Sequence, residues 1–212
     1  MGRGYCRNLG VNLSNSEYIL MVDSTNSIES DFLKKSLKYF EDQSVASVSG
    51  TLRSLKLNNT LLRWRSRHLF KEDKIGNSME KSTMLITYGT LMAKSAIMKC
   101  GGFNPGLKYK EDQDLGTKFE ANGLYVIGDP NISVYSLSIN TLFEVLERYC
   151  RWNMDINERP SLLGYLKNIK ASIKPMMESD LKNGDYKAIL ISLLVPHFQL
   201  YYSVKTFLKE IF

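Results

Sequence analysis

Cysteine, proline and histidine are scarce in this 212-residue sequence, which contains three, five and two of them. The cysteines form no Cys-x-x-Cys pair, which argues against a disulfide scaffold, and their odd number favours a reduced, cytoplasmic setting. Residues 1–13 lack the apolar core of a signal peptide. Long hydrophobic runs are also missing: residues 188–204 hold 12 apolar residues among 17, whereas a membrane-spanning helix needs about 20.

Charge of one sign is not in large excess, since 28 Lys and Arg stand against 22 Asp and Glu, a net charge of +6. This excess suits an anionic ligand or a lipid surface without requiring nucleic acid. Residues 51–75 concentrate it, with seven basic residues against two acidic ones. Because this stretch has few interleaved aromatics, Trp64 being one, and no nucleic-acid-binding motif, we expect no nucleic acid partner.

Strand and helix patterns alternate along the first two thirds of the chain. An apolar run at residues 18–22 predicts a strand that is buried on both faces of a parallel sheet. Further strands are predicted at 45–52, 84–93, 125–127 and 132–137, and helices at 32–40, 111–121 and 142–152. The remainder is helical in pattern, with breaks expected at Pro175 and Pro196. The order predicts an α/β sheet followed by a helical C-terminal appendage.

Four short segments, in this order and spacing, resemble the inverting glycosyltransferases of family 2. Residues 2–10 end in Arg-Asn-Leu-Gly, similar to the family's glycine-rich stretch, and residues 18–26 resemble its strand and loop with the metal-binding Asp-x-Asp. Residues 101–103 (Gly-Gly-Phe), followed by 111–116 (Glu-Asp-Gln-Asp-Leu-Gly), resemble the region of the catalytic base. Residues 148–152 (Arg-Tyr-Cys-Arg-Trp) are a variant of the Gln-x-x-Arg-Trp motif of processive members.

The resemblance implies a partial GT-A-like (Rossmann-like) α/β fold, with a mixed sheet flanked by helices over residues 1–158. Residues 159–212 would form a helical, membrane-associated tail. The implied function is the transfer, with inversion, of a sugar from a nucleoside diphosphate sugar to a hydroxyl acceptor, lipid-linked or part of a polysaccharide. Such a reaction needs a carboxylate base and positive charge near the departing diphosphate.

Two carboxylates are candidates for the base. Glu111 and Asp112 begin a predicted helix behind a Gly/Pro loop, and the resemblance favours Asp112 with Glu111 beside it. The alternative is an acidic first turn that merely complements the helix dipole. The sequence pattern alone leaves both open.

Several basic and aromatic residues are candidates for substrate binding. Arg148 and Arg151 share a helix face and would bind a phosphate, while Trp152 stacks on an acceptor. In the alternative, the two arginines form a solvated basic edge and Trp152 lies in the core. Arg7 and Asn8 would meet the nucleotide, or else cap a turn beside the following glycine.

The metal motif departs from the family pattern. Asp23 is the predicted contact to a divalent ion (Mn²⁺ or Mg²⁺) or to a phosphate, but Thr25 replaces the second Asp. Ser136 stands where many members place a metal-ligating His. Because such ions prefer charged oxygen ligands, the site is expected to be weak.

The family's nucleotide-binding half normally precedes the Arg-Asn-x-Gly stretch, and this sequence starts inside that stretch. At least two βα units are therefore expected to be missing, at roughly 30 residues for each βαβ motif. A partner chain would supply them, or the true start lies upstream, or the protein is a remnant. The rival function is accordingly a catalytically degenerate glycosyltransferase acting as an interaction subunit. Without the missing half, the strand at 18–22 would have an exposed flank.

The tail contains the candidate membrane contact. Residues 188–204 lie between Lys187 and Lys205, with Tyr201 and Tyr202 near one end, which resembles an interfacial helix. The alternative is a core helix packed on the sheet. Residues 63–74 are expected to add contacts to anionic headgroups. The predicted location is the cytoplasm, at the cytoplasmic face of a membrane.

Overall fold

The computed structural model describes residues 2–55, 57–72, 78–82, 84–107, 109–154 and 159–211. Contacts divide the chain into two compact units: Met1–Leu55 with Lys74–Ser138 (unit 1), and Lys56–Asp73 with Ile139–Phe212 (unit 2). The predicted boundary after residue 158 stays a prediction.

Unit 1 contains all the strands and the first helices. Its elements are α1 (Arg3–Leu13), β1 (Tyr18–Val22), β2 (Asn26–Ile28), α2 (Phe32–Leu37) with a 3₁₀ turn (Lys38–Glu41), β3 (Val45–Ser54), β4 (Glu80–Ser82), β5 (Gly89–Ala93), α4 (Lys94–Lys99), α5 (Glu111–Ala121) and β6 (Tyr125–Ser136). Unit 2 contains α3 (Thr60–Trp64) with a π-helical turn (Arg65–Phe70), α6 (Leu142–Asn153), α7 (Leu162–Ala171) with a second π-helical turn (Ser172–Met177), α8 (Glu178–Lys182) and α9 (Tyr186–Ile211).

The sheet of unit 1 is mixed. Its strands lie in the order β1-β5-β3-β6-β2, and β4 pairs with β6 off this path. β3 and β6 are parallel, while the other pairings are antiparallel. Helices α1, α4 and α5 supply apolar side chains to the main core with the sheet, among them Val11, Ile97, Leu115 and Phe119. The predicted mixed α/β sheet flanked by helices is confirmed.

Strand β1 lies at one edge of this sheet. The prediction of a strand is confirmed, but its burial on both faces of a parallel sheet is wrong. Its partner β5 is antiparallel, its first four residues are only half-buried, and Val22 is 42% exposed. An uninterrupted apolar run shows that a strand is hydrophobic but not which strands pair with it. It therefore does not distinguish a central strand from an edge strand. The other edge of β1 pairs with no strand among the described residues.

Strand β6 is one long strand where the sequence predicts two short ones. The register against β3 shifts between the pairs Gly50–Asp129 and Thr51–Ser133, so residues 130–132 bulge out of the ladder. Pro130 therefore loses no ladder hydrogen bond, which is where a proline is tolerated within a strand. The proline marks a bulge and not the end of the strand.

The core of unit 2 surrounds Trp64, which is fully buried. Its indole Nε1 donates to Ser192 Oγ (2.9 Å), and its ring lies 5.6 Å from that of Tyr149. Apolar side chains of α6 and α9 complete the cluster, including Val145, Leu146, Ala188, Ile191 and Val195.

A buried ionic network joins the π-helical turn after α3 to the region of α8. Arg67 donates to Asp180 (2.9 Å) and to Asp185 (3.0 Å), and Arg63 Nε also donates to Asp185 (2.7 Å). His68 contacts Asp180 at 2.7 Å, and Asp180 is 0% exposed. The sequence pattern is compatible with a helix or a loop in this basic stretch, and the structure forms a helix. The expected contact with headgroups is wrong for Arg67, which is paired and largely buried, whereas Arg63, whose side chain is 35% exposed, keeps it as a prediction.

Helix α9 runs through Pro196 without a break. The expected break is wrong, and the reason lies in one tertiary contact. Proline has no N–H for the carbonyl four residues earlier, which is that of Ser192. The Ser172 hydroxyl donates to that carbonyl at 2.5 Å instead. At Pro175 the helix also continues, through a π-helical turn. Among the described residues, no helix is both long and apolar enough to cross a membrane.

Candidate functional site

The candidate site of unit 1 lies at the end of β1. The register places Val22 opposite Gly89, so the loop after β1 lies beside the segment that leads into β5. Asn26 Nδ2 donates to the Tyr88 carbonyl (3.0 Å), and the Leu137 amide donates to the Thr25 carbonyl (2.8 Å). These bonds fix the Asp23 loop between two other segments of the sheet.

The structure brings the residues of the predicted metal site together. Asp23 and Thr25 are exposed, and Ser136, which is 4% exposed, pairs in register with Asn26 just after them. The donor set holds one carboxylate and two neutral hydroxyls. In the part of the chain that the structure describes, no group of three His, Cys, Asp or Glu could hold an ion. These residues therefore do not fit a divalent ion that the protein holds by itself.

The predicted acidic helix α5 begins at Glu111, directly after Lys110, whose φ is +61°. Glu111 is buried, at 2% exposed, and forms an ion pair with Arg7 from α1. The Arg7 guanidinium also donates to Thr87 Oγ1 (2.8 Å) and lies 5.4 Å from the centre of the Phe103 ring. This arrangement neutralises Glu111 and holds the start of α5 against α1.

Asp112 has a different environment from its neighbour. It is half-buried and makes no ion pair with any residue that the structure describes. Burial raises the pKa of Asp112, the charge of Glu111 raises it further, and the Gln113 amide and Arg7 act in the opposite direction. A carboxylate with a raised pKa is a stronger proton acceptor than an ordinary one. The structure thus distinguishes two carboxylates that the sequence pattern left equivalent.

Asn8 shapes the loop that precedes α5. Its side chain donates to the Phe103 carbonyl (2.7 Å) and accepts from the Phe103 amide (2.8 Å). Gly102 has a φ of +73°, and a Cβ there would lie 2.7 Å from Asn8 Oδ1, which is why only glycine fits. Both hydrogen-bonding groups of Asn8 are therefore used within the protein, and its proposed contact with nucleotide stays a prediction.

The arginines of the fourth motif lie in unit 2, on α6. Arg148 and Arg151 are half-buried, whereas Trp152 is 51% exposed with its ring 6.2 Å from that of Phe70. The alternative that puts Trp152 in the core is wrong. The proposed roles of all three residues stay predictions.

The sequence analysis missed several residues that the fold places beside the predicted ones. Thr87 holds Arg7, and no local pattern marks it. Arg65 is 1% exposed and donates to Asn140 Oδ1 (2.8 Å), so the headgroup contact expected for it is wrong. Burial lowers the pKa of Arg65, and the charge of Arg148 lowers it further, which places a second arginine near the fourth motif. The basic composition of residues 51–75 was the only available signal.

The family model described as "Glycosyltransferase like family 2" matches residues 4–155. The comparison with curated proteins found no match. Among solved structures, a GalNAc-T7 complex with UDP, GalNAc and Mn²⁺ aligns with 99% of this chain at 11% identity and a TM-score of 0.50. A mannosyltransferase from Pyrobaculum calidifontis in complex with GDP-Man and Mn²⁺ aligns over 99% at 11% identity (TM-score 0.49). TarS from S. aureus aligns over 97% at 15% identity (TM-score 0.46).

At these identities the structural likeness concerns the fold alone. The chain spans 43% of the GalNAc-T7 chain, 55% of the mannosyltransferase chain and 68% of the TarS chain. It thus corresponds to about half the length of the first two.

Proposed function

The chain belongs to glycosyltransferase like family 2, and on this premise we propose that it transfers a sugar from a nucleoside diphosphate sugar to a hydroxyl acceptor. The observation that carries the proposal is the contrast at the start of α5. Glu111 is neutralised by Arg7, while Asp112 has no ion-pair partner among the described residues and has a raised pKa. This is the property required of a general base.

In the proposed step, Asp112 removes the proton from the acceptor hydroxyl as the oxygen attacks the anomeric carbon of the donor sugar. The new glycosidic bond forms on the face opposite the leaving group, so the configuration inverts. The bond to the diphosphate breaks at the same time, and the nucleoside diphosphate leaves with the electron pair. Its charge needs stabilisation, for which Arg148 and Arg151 are the proposed residues.

Asp23 is proposed to contact the diphosphate or an ion that accompanies it. GalNAc-T7, whose fold is similar, is described with Mn²⁺, which supports a divalent ion in this proposal. With a single carboxylate in the loop, that ion would depend mainly on the phosphates of the substrate.

The proposed acceptor is lipid-linked or part of a polysaccharide, and the proposed place of action is the cytoplasmic face of a membrane. The three free cysteines, Cys6, Cys100 and Cys150, support a reducing compartment. The open edge of β1 supports a further proposal, that a partner chain supplies the nucleotide-binding part by adding strands there.

One observation favours the rival function of a degenerate interaction subunit. The loop after β1 has Thr25 where a second carboxylate would hold the ion, and Ser136 provides no imidazole. Under this alternative the chain keeps the fold and has lost turnover.

The test compares Asp112→Asn with Asp114→Asn, which makes the same change of charge in the same helical turn. Release of nucleoside diphosphate is followed with UDP- and GDP-sugars, in the presence of any partner chain that copurifies. We expect Asp112→Asn to lose about 10²- to 10⁴-fold in rate, while Asp114→Asn retains most activity and both keep the thermal midpoint. Full activity in Asp112→Asn would exclude this residue as the base. A wild-type protein that binds nucleotide sugar without turnover would favour the degenerate subunit.

A further inference from the structure

Helix α9 has an apolar face that no described part of the chain covers. No charged residue occurs between positions 188 and 204. Leu190 is 65% exposed, Leu194 45%, Tyr201 49% and Leu208 47%, and these positions recur at the spacing of one helix side. The opposite side of α9, with Ala188, Ile191 and Val195, already fills the core of unit 2. A helix that is apolar on both sides needs a second apolar or interfacial environment.

Helix α7, which packs against α9, extends this apolar area. Its residues Leu162, Leu163 and Leu166 are 73%, 81% and 52% exposed. Tyr165 on α7 and His197 on α9 join at the surface through a hydrogen bond of 2.8 Å. We call the exposed leucines of these two helices, with Tyr201, the α7–α9 face. Exposed leucines grouped on two helices that pack together mark a candidate interaction site.

The charges around this face are nearly all positive. Exposed lysines are found at positions 167, 170, 174 and 187. The acidic residues between positions 159 and 208 are Glu178, Asp180 and Asp185, and both aspartates are buried in the ionic network. The outward charge therefore complements an anionic surface. Two copies of the chain that met through this face would bring lysines of like charge together, which disfavours self-association.

A cavity of about 190 Å³ lies between the end of α6, the start of α7 and α9. Arg159, Lys167, Asn168 and Gln199 are among its lining residues, and no acidic residue that the structure describes lines it. Gln199, which is 7% exposed, and Asn168 place side-chain amides in the same lining as the two cations. Amide donors beside cations suit the oxygen atoms of a phosphate group.

We propose that the α7–α9 face binds the surface of an anionic bilayer, with the phosphate of one lipid headgroup in the cavity beside Lys167 and Gln199. The leucines would enter the boundary between headgroups and acyl chains, as in interfacial helices. The proposal does not depend on Asp112, because the residues that carry it are confined to unit 2.

The apolar part is tested with vesicles of phosphatidylcholine alone and of phosphatidylcholine mixed with phosphatidylglycerol, using sedimentation of the bound protein. We expect binding to the anionic vesicles, and a loss of roughly tenfold or more in affinity for the double variant Leu190→Glu/Leu194→Glu. The matched control is Leu33→Glu/Leu37→Glu, since these leucines of α2 in unit 1 are 46% and 43% exposed. The control variant should bind like the wild type.

The cavity is tested by comparing Lys167→Gln with Lys170→Gln, which removes the same charge one turn along α7 and outside the cavity lining. We expect about a tenfold loss of affinity for anionic vesicles in Lys167→Gln, as for one hydrogen bond to a charged group. Lys170→Gln should lose only a few-fold, as a lysine near a charged surface does. Gln199→Met, which keeps the volume, should also weaken binding.

Four results would overturn the proposal. Equal losses in the two lysine variants would show that the cavity holds no headgroup. Equal binding to neutral and anionic vesicles would remove the role of charge. Equal losses in the two leucine double variants would remove the role of the α7–α9 face. A wild type that binds no vesicles but sediments as a dimer, and becomes monomeric on Leu190→Glu/Leu194→Glu, would identify a second copy as the occupant. In each case the transfer assay on Asp112→Asn gives its answer independently.

Discussion

The two units differ in where they place apolar and charged side chains. In unit 1 the first six residues of β3 are buried, and the ion pairs of Lys35 with Glu29 and Asp31 lie at the surface. In unit 2 the carboxylates of Asp180 and Asp185 are buried, and many leucines are exposed. Unit 1 buries an ion pair, between Arg7 and Glu111, and also exposes some leucines, among them Leu33 and Leu37. In unit 2, buried ion pairs join the helices, and many apolar side chains lie at the surface. The difference lies in the number of buried carboxylates that each network holds and in the row of exposed leucines on α7 and α9 of unit 2, for which we propose a lipid surface as the partner.

The largest expected effect concerns the buried charges of unit 2. Asp180→Ala removes the partner of Arg67, His68 and Ser192, and leaves buried donors without an acceptor. We expect a loss of about 3–5 kcal/mol in the free energy of unfolding. Urea titration followed by tryptophan fluorescence measures it, because both tryptophans, Trp64 and Trp152, lie in unit 2.

The control for this variant is Asp31→Ala, which removes a half-exposed partner of Lys35 in unit 1. A surface pair of this kind contributes less than about 1 kcal/mol. If the two variants lose equal stability, the contrast between buried and surface charge in the two units does not hold.

Acid should weaken unit 2 through Asp185. The hydrogen bond from Arg63, together with that from Arg67, outweighs burial and holds the pKa of Asp185 at about 2, below the ordinary value of 3.8. Because the folded-state pKa is depressed, this stabilisation is complete above pH ~4 and is lost as the pH falls towards 2, by about 2 kcal/mol in total. Urea titrations at several pH values measure the slope. Asp185→Asn should reduce the slope in this window, and Asp31→Asn should leave it unchanged.

A smaller effect is expected at the proline of α9. Ser172→Ala removes the hydroxyl that donates to the Ser192 carbonyl, and the cost should be about 1–3 kcal/mol, as for a buried acceptor left without a partner. Pro196→Ala restores the helical N–H for that carbonyl, so Ser172→Ala should cost less in this background. A double-mutant cycle by urea titration gives the coupling. Additive losses would show that the hydroxyl does not substitute for the missing amide.

The smallest expected change concerns the candidate base in unit 1. The charge of Arg7 lowers the pKa of Asp112, and Arg7 also neutralises Glu111. Arg7→Met should therefore raise the pKa of Asp112 and move the acid limb of the transfer rate to higher pH. Arg3→Met, an exposed position on the same helix, serves as the control. An unchanged pH profile in Arg7→Met would contradict the proposed coupling of the two carboxylates.

Local patterns predicted much of the fold because they report hydrophobic periodicity and helix ends. The acidic helix was placed at residues 111–121, and the structure begins and ends α5 at the same positions. The antiparallel pairing of β1, the single strand β6 and the unbroken α9 were not predicted. Each depends on a contact with a distant segment: the pairing with β5, the bulge against β3 and the hydroxyl of Ser172.

The family resemblance, the mixed α/β architecture and the position of the acidic pair could be predicted from the sequence, because short motifs and their order carry all three. Only the tertiary structure decided which carboxylate of the pair is neutralised, since the partner Arg7 lies 104 residues away from Glu111. It also decided that Arg65 and Arg67 of the basic stretch face inward, and that the leucines of α7 and α9 face outward. Charge and hydrophobicity can be read from a sequence, but burial depends on which distant segments meet.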